Sequence, residues 1–384
     1  MGTVLYLDHA ATTPLAPEVH AAMEPYFAGG FGNPSSRHPL GVQAAEALDE
    51  ARRRTARAVG GRPRDVVFTS GGTEANNLAV LGFARARRRR GAHVVLGPTE
   101  HASVAEAGHA LAAEGFEVET ARLDAGGALD LDDFARRLRP DTVLVAQMLV
   151  SNELGTIYPV ARLARLVRRA SPEAALHVDA VQAAGKLDLS LPELDADSIA
   201  VSGHKIRGPK GAGALVLKPG TRPPSPLVFG GGQEGGLRSG TENVAALVGL
   251  GAALELASDR APETAAAMEA ARTRLRERLA RVGGVRPLEP GDRLAPSILA
   301  VRVPGAPAEV WQHHLEVRGV MTSVGSACQA NKGGVSPAFA AAGLSEDDAR
   351  RVLRLSLAAD SGPLVDAAAD AFEEVAAELA AEVG

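Results

Sequence analysis

Between residues 66 and 217 the chain alternates short apolar runs with longer amphipathic stretches, and this pattern constrains the fold more than any other feature. The apolar runs are VVFT (66–69), HVVLG (93–97), FEVETA (116–121), TVLVAQ (142–147), ALHVDA (175–180), DSIAVS (197–202) and GALVLK (213–218). Runs this short and continuous suit strands covered on both faces. Between them the spacing predicts helices over 73–90, 102–114, 130–138 and 159–170. The alternation implies βαβ units, hence an α/β fold in which helices sandwich a mostly parallel seven-stranded sheet. The pattern changes after the glycine-rich GGGQEGGLRSGTEN (230–243). A long helical region over 244–282 is followed by a strand (297–303), a helix (308–317), a short strand (320–324), a strand (352–358) and a final helix (364–382). This reads as a smaller α+β domain whose boundary falls inside the long helix.

A chain of 384 residues, 46% hydrophobic and 23% charged, can bury two cores. Its net charge of −5 argues against a nucleic-acid footprint or an anionic membrane surface as partner. No stretch approaches the ~18 apolar residues that span a bilayer. The start, MGTVLYLDHAATTP, lacks the basic and apolar regions of a secretory signal. Cys328 is the one cysteine, so neither an intrachain disulfide nor a thiolate zinc cluster is possible. No metal is expected, and a reducing cytoplasm fits. Of the 41 basic residues only five are lysines (Lys186, Lys205, Lys210, Lys218, Lys332). Arginine keeps its proton and lysine can lose it, so a retained lysine is a candidate for amine chemistry.

Four stretches carry chemistry. SGGTEANN (70–77) follows a strand and opens a helix, so its glycines and the helix N-terminus suit a phosphate monoester, with Thr73 adding a hydroxyl. An ordinary capped strand–turn–helix would look the same. In HVDAVQ (177–182), Asp179 ends an apolar strand, where open α/β sheets place ligands. A carboxylate there needs a partner, such as a protonated ring nitrogen, or else it caps the next helix. In SGHKIRGPKG (202–211), Ser202, His204 and Lys205 follow another strand end, and a desolvated lysine is a nucleophilic amine. A phosphate cup, an acid for a pyridinium and a lysine form the set that pyridoxal 5′-phosphate (PLP) requires. Finally, Cys328 in VGSACQANKGG (324–334) lies among small and polar residues. That context suits a partly exposed reactive thiol, with an inert structural cysteine as the alternative.

The chain resembles the cysteine desulfurases of the NifS/IscS type, in the class V aminotransferase group of fold-type-I PLP enzymes. The matching stretches are YLDHAATTPL (6–15), FGNPSSRH (31–38), FTSGGTEANNLA (68–79), TEHASV (99–104), SNELGTIYP (151–159), HVDAVQAAGK (177–186), SGHKIRGPKG (202–211), GLRSGTENVA (236–245), GSAC (325–328) and LRLSLA (353–358). The resemblance implies a large PLP-binding domain over 15–255. It also implies a small domain of 1–14 and 256–384 that carries the Cys328 loop. It implies that Lys205 holds PLP covalently, Asp179 pairs with the pyridine nitrogen, and Gln182 bonds the ring's phenolic oxygen. His101 would stack on the ring and move protons. Gly72, Thr73, Ser202 and His204 would hold the phosphate, as would Thr241 from the other subunit of a homodimer. Asn152 and Arg354 would hold the substrate carboxylate, with Asn152 also beside the cofactor. Asn33 and His38 in FGNPSSRH read as shaping a loop near the pocket entrance, with Asn33 in reach of substrate.

The implied reaction converts L-cysteine to L-alanine and leaves a persulfide on Cys328. A sulfur-acceptor protein, such as an Fe–S scaffold or a thiolation protein, would then take the sulfur. Selenocysteine lyase, or another class V aminotransferase-type reaction, is the alternative. Two departures stand out. Gly235 occupies the place of an arginine after GGGQE, and AADSGPLVD (358–366) replaces the usual helix start. Glu100, Trp311, His313 and His314 read as structural or surface residues. Asp8 and His9 are open between a strand-end role and a site role.

Overall fold

A computed structural model describes residues 4–325 and 336–383. Cys328 lies outside the described residues. The strands in chain order are β1 (Leu5–Tyr6), β2 (Val66–Thr69), β3 (His93–Leu96), β4 (Glu117–Thr120), β5 (Thr142–Met148), β6 (Ala175–Asp179), β7 (Ser198–Ser202), β8 (Gly213–Leu217), β9 (Arg286–Leu288), β10 (Ile298–Arg302), β11 (Val320–Met321), β12 (Ser323–Val324) and β13 (Val352–Ser356). The large sheet has seven strands in the order β2-β8-β7-β6-β5-β3-β4. Its strands are parallel except β8, which runs antiparallel to both neighbours. The reason is local: the link from β7 to β8 contains one 3-10 turn, Gly203–Lys205, and no crossover helix.

Every residue of β2, β3, β5, β6, β7 and β8 is buried. Alternate residues serve opposite faces, as a pleat requires. In β5, Leu144 and Ala146 pack with the helices Gly72–Arg87 and Ala102–Ala113, whereas Val145 between them joins the opposite core. The helix Val160–Ala170 shows the matching logic: Val160, Leu163, Ala164 and Val167 are buried, and arginines occupy the outer face. The edge strand β4 is only partly buried and carries Glu117 and Glu119, paired with Arg139 and Arg137. Charges on an edge discourage further strand pairing.

A second, antiparallel sheet runs β12-β13-β10-β9, with a parallel pair β1-β11 beside it. It has its own core, in which Trp311 is fully buried, packs against Phe372 and donates from Nε1 to Pro304 O at 3.1 Å.

Three expectations need correction. The helical region over 244–282 is two helices, Val244–Asp259 and Ala261–Leu279, which meet at Arg260. Pro262 has no N–H and its ring would meet the carbonyl four residues back, so the first helix cannot run through. Helix Val244–Asp259 packs in the core of the large sheet, and helix Ala261–Leu279 in that of the small one. The strand expected at 320–324 is split between β11 and β12, which pair with different partners. The short strand β9 was not anticipated. Among the described residues no helix is long and apolar enough to cross a membrane.

Candidate active site

The carboxyl ends of β2, β3, β5, β6 and β7 open on one edge of the sheet, and a cavity of about 550 Å³ lies there. At one side Gly71 adopts φ 154° and ψ −176°, a conformation essentially confined to glycine. The chain then enters helix Gly72–Arg87, whose first N–H groups have no acceptor within the helix. A Cβ on Gly72 would stand 2.8 Å from Val181 Cγ2, so any larger residue here would push the Val181 side chain aside. Gly72, Thr73, Ser202 and His204 all line the cavity here. Burial, reinforced by the cations of Lys205, Lys210 and Lys186, pushes His204 down to about 4. It is therefore a neutral donor beside the positive end of a helix, an arrangement suited to a phosphate.

Asp179 closes β6 and is buried. Its Oδ1 accepts from Val181 N–H at 2.9 Å and its Oδ2 from Asn76 Nδ2 at 2.7 Å. Lys205 ends the 3-10 turn after β7, and its Nζ donates to the carbonyls of Ala10 at 2.5 Å and Ala11 at 2.7 Å. His101 caps helix Ala102–Ala113 by accepting Ser103 N–H at 3.1 Å. Burial pushes its imidazole below the ordinary range, with Asp179 opposing and Lys205 adding to the effect.

Gln182 donates from Nε2 to Ala10 O at 2.9 Å, and its Oε1 accepts from Lys186 Nζ at 3.1 Å. Lys186 is 5% exposed, and burial, with Lys205 adding, lowers it to about 7. Two of the five lysines therefore converge on Ala10 and Gln182. Lys186 had no assigned role, and the scarcity of lysine was its only sequence signal.

Arg354, from β13 of the small sheet, reaches the same cavity. Its Nη2 donates to Asp8 Oδ1 at 2.7 Å and its Nη1 to Asn152 O at 3.1 Å, while Nε is buried with no hydrogen-bond partner. Asp8 is thus the counter-ion of the anticipated carboxylate binder, and it also bridges Ser356 at the end of β13, so it holds both a strand-end place and one beside the cavity.

The structure brings Lys205, Asp179, His101, Gln182, Asn152, Arg354 and the phosphate-cup residues together; Asn33 lies outside this cavity, and so does Thr241, which was expected in the other subunit's site. Thr241 is exposed and does not line this cavity. Asn33 is exposed, and its Oδ1 accepts from Ser35 N–H within a turn. Glu234 tethers the loop before Thr241. It takes two bonds from Arg52, at 2.7 and 2.8 Å, and one from Phe68 N–H at 2.8 Å.

Glu100 lies beneath the cavity and accepts Met148 N–H at 2.6 Å, while its Oε2 is buried without a partner. Burial, with Asp179 adding, raises it from 4.5 to about 8. Between those values the folded chain holds a proton that the unfolded chain has released, so stability falls as pH rises through this window. A Glu100→Gln chain is expected to melt like the native one near pH ~5 and a few degrees higher near pH ~9. Thermal unfolding at the two pH values checks this.

Such an arrangement can hold a phosphate, pair with a ring cation, offer an amine and orient a carboxylate. The aminotransferase class-V family profile matches residues 5–362. A protein of Dictyoglomus turgidum described as cysteine desulfurase IscS is 39% identical over 85% of this chain and 82% of its own length. A solved NifS-like protein superposes with a TM-score of 0.91 at 33% identity, covering 97% of this chain and 99% of its own. Another solved structure, SspA in complex with cysteine, gives a TM-score of 0.81 at 32% identity over 92% of this chain and 99% of its own. The chain belongs to the aminotransferase class-V family and, within it, to the NifS/IscS type.

Proposed function

We propose that this chain is a PLP-dependent cysteine desulfurase that converts L-cysteine to L-alanine and carries the released sulfur as a persulfide on Cys328. The observation behind the reading is one cavity that holds a donor-lined helix N-terminus, Asp179, His101, Lys205 and, from the other sheet, Arg354. This donor set fits PLP: Gly72, Thr73, Ser202 and His204 for the phosphate, Asp179 for the pyridine nitrogen, Gln182 for the phenolic oxygen, and Lys205 for the aldehyde. When bound, PLP withdraws electrons from the substrate's Cα, which makes the Cα proton acidic and the Cβ–S bond labile.

The chain's own groups do the rest. Arg354, oriented by Asp8 and Asn152, holds the substrate carboxylate with a fork of N–H donors. The Lys205 amine takes the Cα proton, and His101 moves protons on the substrate side. The Cys328 thiolate attacks the substrate sulfur. An S–S bond forms, the C–S bond breaks, and its electron pair stays on Cβ, which takes up a proton; with the Cα proton returned by Lys205, the skeleton leaves as alanine.

The active unit is a homodimer in this reading. Support comes from Thr241, which is exposed and away from its own cavity, on a strand-tethered loop that also exposes Phe229. The sulfur passes to an acceptor protein with a nucleophilic thiol or a cluster-building site, and a reducing cytoplasm suits a chain with a single, reactive cysteine.

The test is to incubate the PLP-loaded protein with L-cysteine and assay alanine and sulfide. Cys328→Ser is expected to lower alanine formation at least ~100-fold, because a hydroxyl is a far weaker nucleophile than a thiolate. Full turnover by that variant would sink the acceptor role.

A further inference from the structure

Resting on that reading, we propose that Asn76 is a positioning residue for two groups in the cofactor cavity: it fixes which nitrogen of His101 carries the proton and how the Asp179 carboxylate is oriented. Asn76 lies in helix Gly72–Arg87, is 1% exposed and borders the cavity. Each proton of its amide is used: Nδ2 donates to Asp179 Oδ2 at 2.7 Å and to Ser103 Oγ at 2.9 Å. Its Oδ1 is 2.9 Å from His177 Nε2. The opposite orientation of the amide would set its oxygen against a carboxylate oxygen, so the neighbours decide which way it faces.

Proton placement then follows around the network. Ser103 Oγ accepts from Asn76, so its own O–H is free to point at His101 Nδ1, 2.8 Å away. Ser103 N–H also donates to that nitrogen, at 3.1 Å. A ring nitrogen accepting from both carries no proton, which makes His101 the Nε2–H tautomer. Nε2–H is then the proton that this ring can offer. On the far side, His177 donates from Nε2 to Asn76 Oδ1, and its Nδ1 accepts from Ser198 O–H at 2.9 Å. Burial pushes His177 down to about 3, so it stays neutral and keeps presenting the same proton. Asp179 has one oxygen held by Val181 N–H and the other by Asn76. Its carboxylate plane is therefore set, and its remaining lone pairs are left for a cationic donor.

One arm of bonds runs from Ser198 on β7 through His177 on β6 to Asn76, a second joins Asn76 to Asp179 at the end of β6, and a third runs through Ser103 to His101 at the start of helix Ala102–Ala113. Four elements thus share one amide as their junction. Asn76 itself need not touch the reacting atoms, since it acts through the groups it orients.

The test has a readout that needs neither cofactor nor turnover. Protein labelled with 15N-histidine is examined by long-range 1H–15N NMR without PLP, with His101→Gln to assign the resonance. His101 and His177 are both expected to carry their proton on Nε2 alone. In Asn76→Ala, a second His101 population protonated at Nδ1 is expected. PLP binding, titrated by visible absorbance, should weaken about tenfold to a hundredfold, the worth of one hydrogen bond to a charged group. Asn76→Asp keeps the shape but has no N–H to give, and should behave as Asn76→Ala does in both readouts. A proton on His101 Nδ1 in the native protein would overturn the proposal. So would an Asn76→Ala chain with unchanged tautomer and unchanged affinity. If neither variant folds, the native spectrum still decides. Failure of every form to bind PLP, with the native tautomers as expected, would overturn the functional reading and leave the network supported.

Discussion

A Lys205→Ala chain is expected to lose L-cysteine turnover by at least ~10³-fold while keeping its fold, since covalent anchoring and Cα proton transfer are both lost. The fold should survive because of where Lys205 sits. Its Nζ bonds the carbonyls of Ala10 and Ala11 at the wall of an open cavity, where water can replace it. Bonds from a charged group are worth about 1.5–3 kcal/mol each when buried, and less at this open wall where water takes the amine's place, so the urea midpoint should move little. Lys186 cannot substitute, because it is buried and its amine is engaged by Gln182 Oε1. Alanine formation, the visible spectrum of PLP-loaded protein and urea unfolding together check this. Turnover retained in Lys205→Ala would assign the chemistry to another amine.

The second large effect concerns Arg354. Losing a fork of two charge-assisted bonds to a substrate carboxylate costs about 3–6 kcal/mol, so Arg354→Gln should lower kcat/KM by about 10²–10⁴-fold. The same change strikes stability, because the Arg354 side chain is 3% exposed and its partner Asp8 19%. Removing one member of a nearly buried pair costs about 3–5 kcal/mol. The Asp8→Asn/Arg354→Gln double variant separates the two effects. It should recover much of the stability, since neither charge is left unpaired, and none of the kcat/KM. Asp8→Asn alone keeps the cation and should cost about tenfold in kcat/KM through misorientation. Urea unfolding and initial rates across the four proteins give both columns of the cycle. Recovery of activity in the double variant would show that Arg354 matters only as the partner of Asp8.

The glycines of 70–73, the strand-end Asp179 and the turn bearing Lys205 were legible in sequence because each depends on its own segment. Glycine permits the φ of residue 71, and an apolar run delivers its last residue to the sheet edge. The break at Arg260 was equally local, since Pro262 announces it, but the surrounding alanine-rich periodicity masked it. The division of 320–324 was not local. Val320 pairs with Leu5, and Ser323 with Arg354, so neighbours distant in sequence decide where each strand ends.

The alternation of apolar runs, taken alone, determined an α/β sheet with its ligand edge at the strand ends, and the motifs on that edge named residues suited to a phosphate, a ring and an amine. Only the tertiary structure decided how those residues are held. Asp8 reaches Arg354 across 346 positions and Asn76 reaches His177 across 101. Periodicity and backbone preference act over a few residues, whereas a buried polar group must find whatever partner the packed chain brings within 3 Å or so, and no local pattern records which one that is.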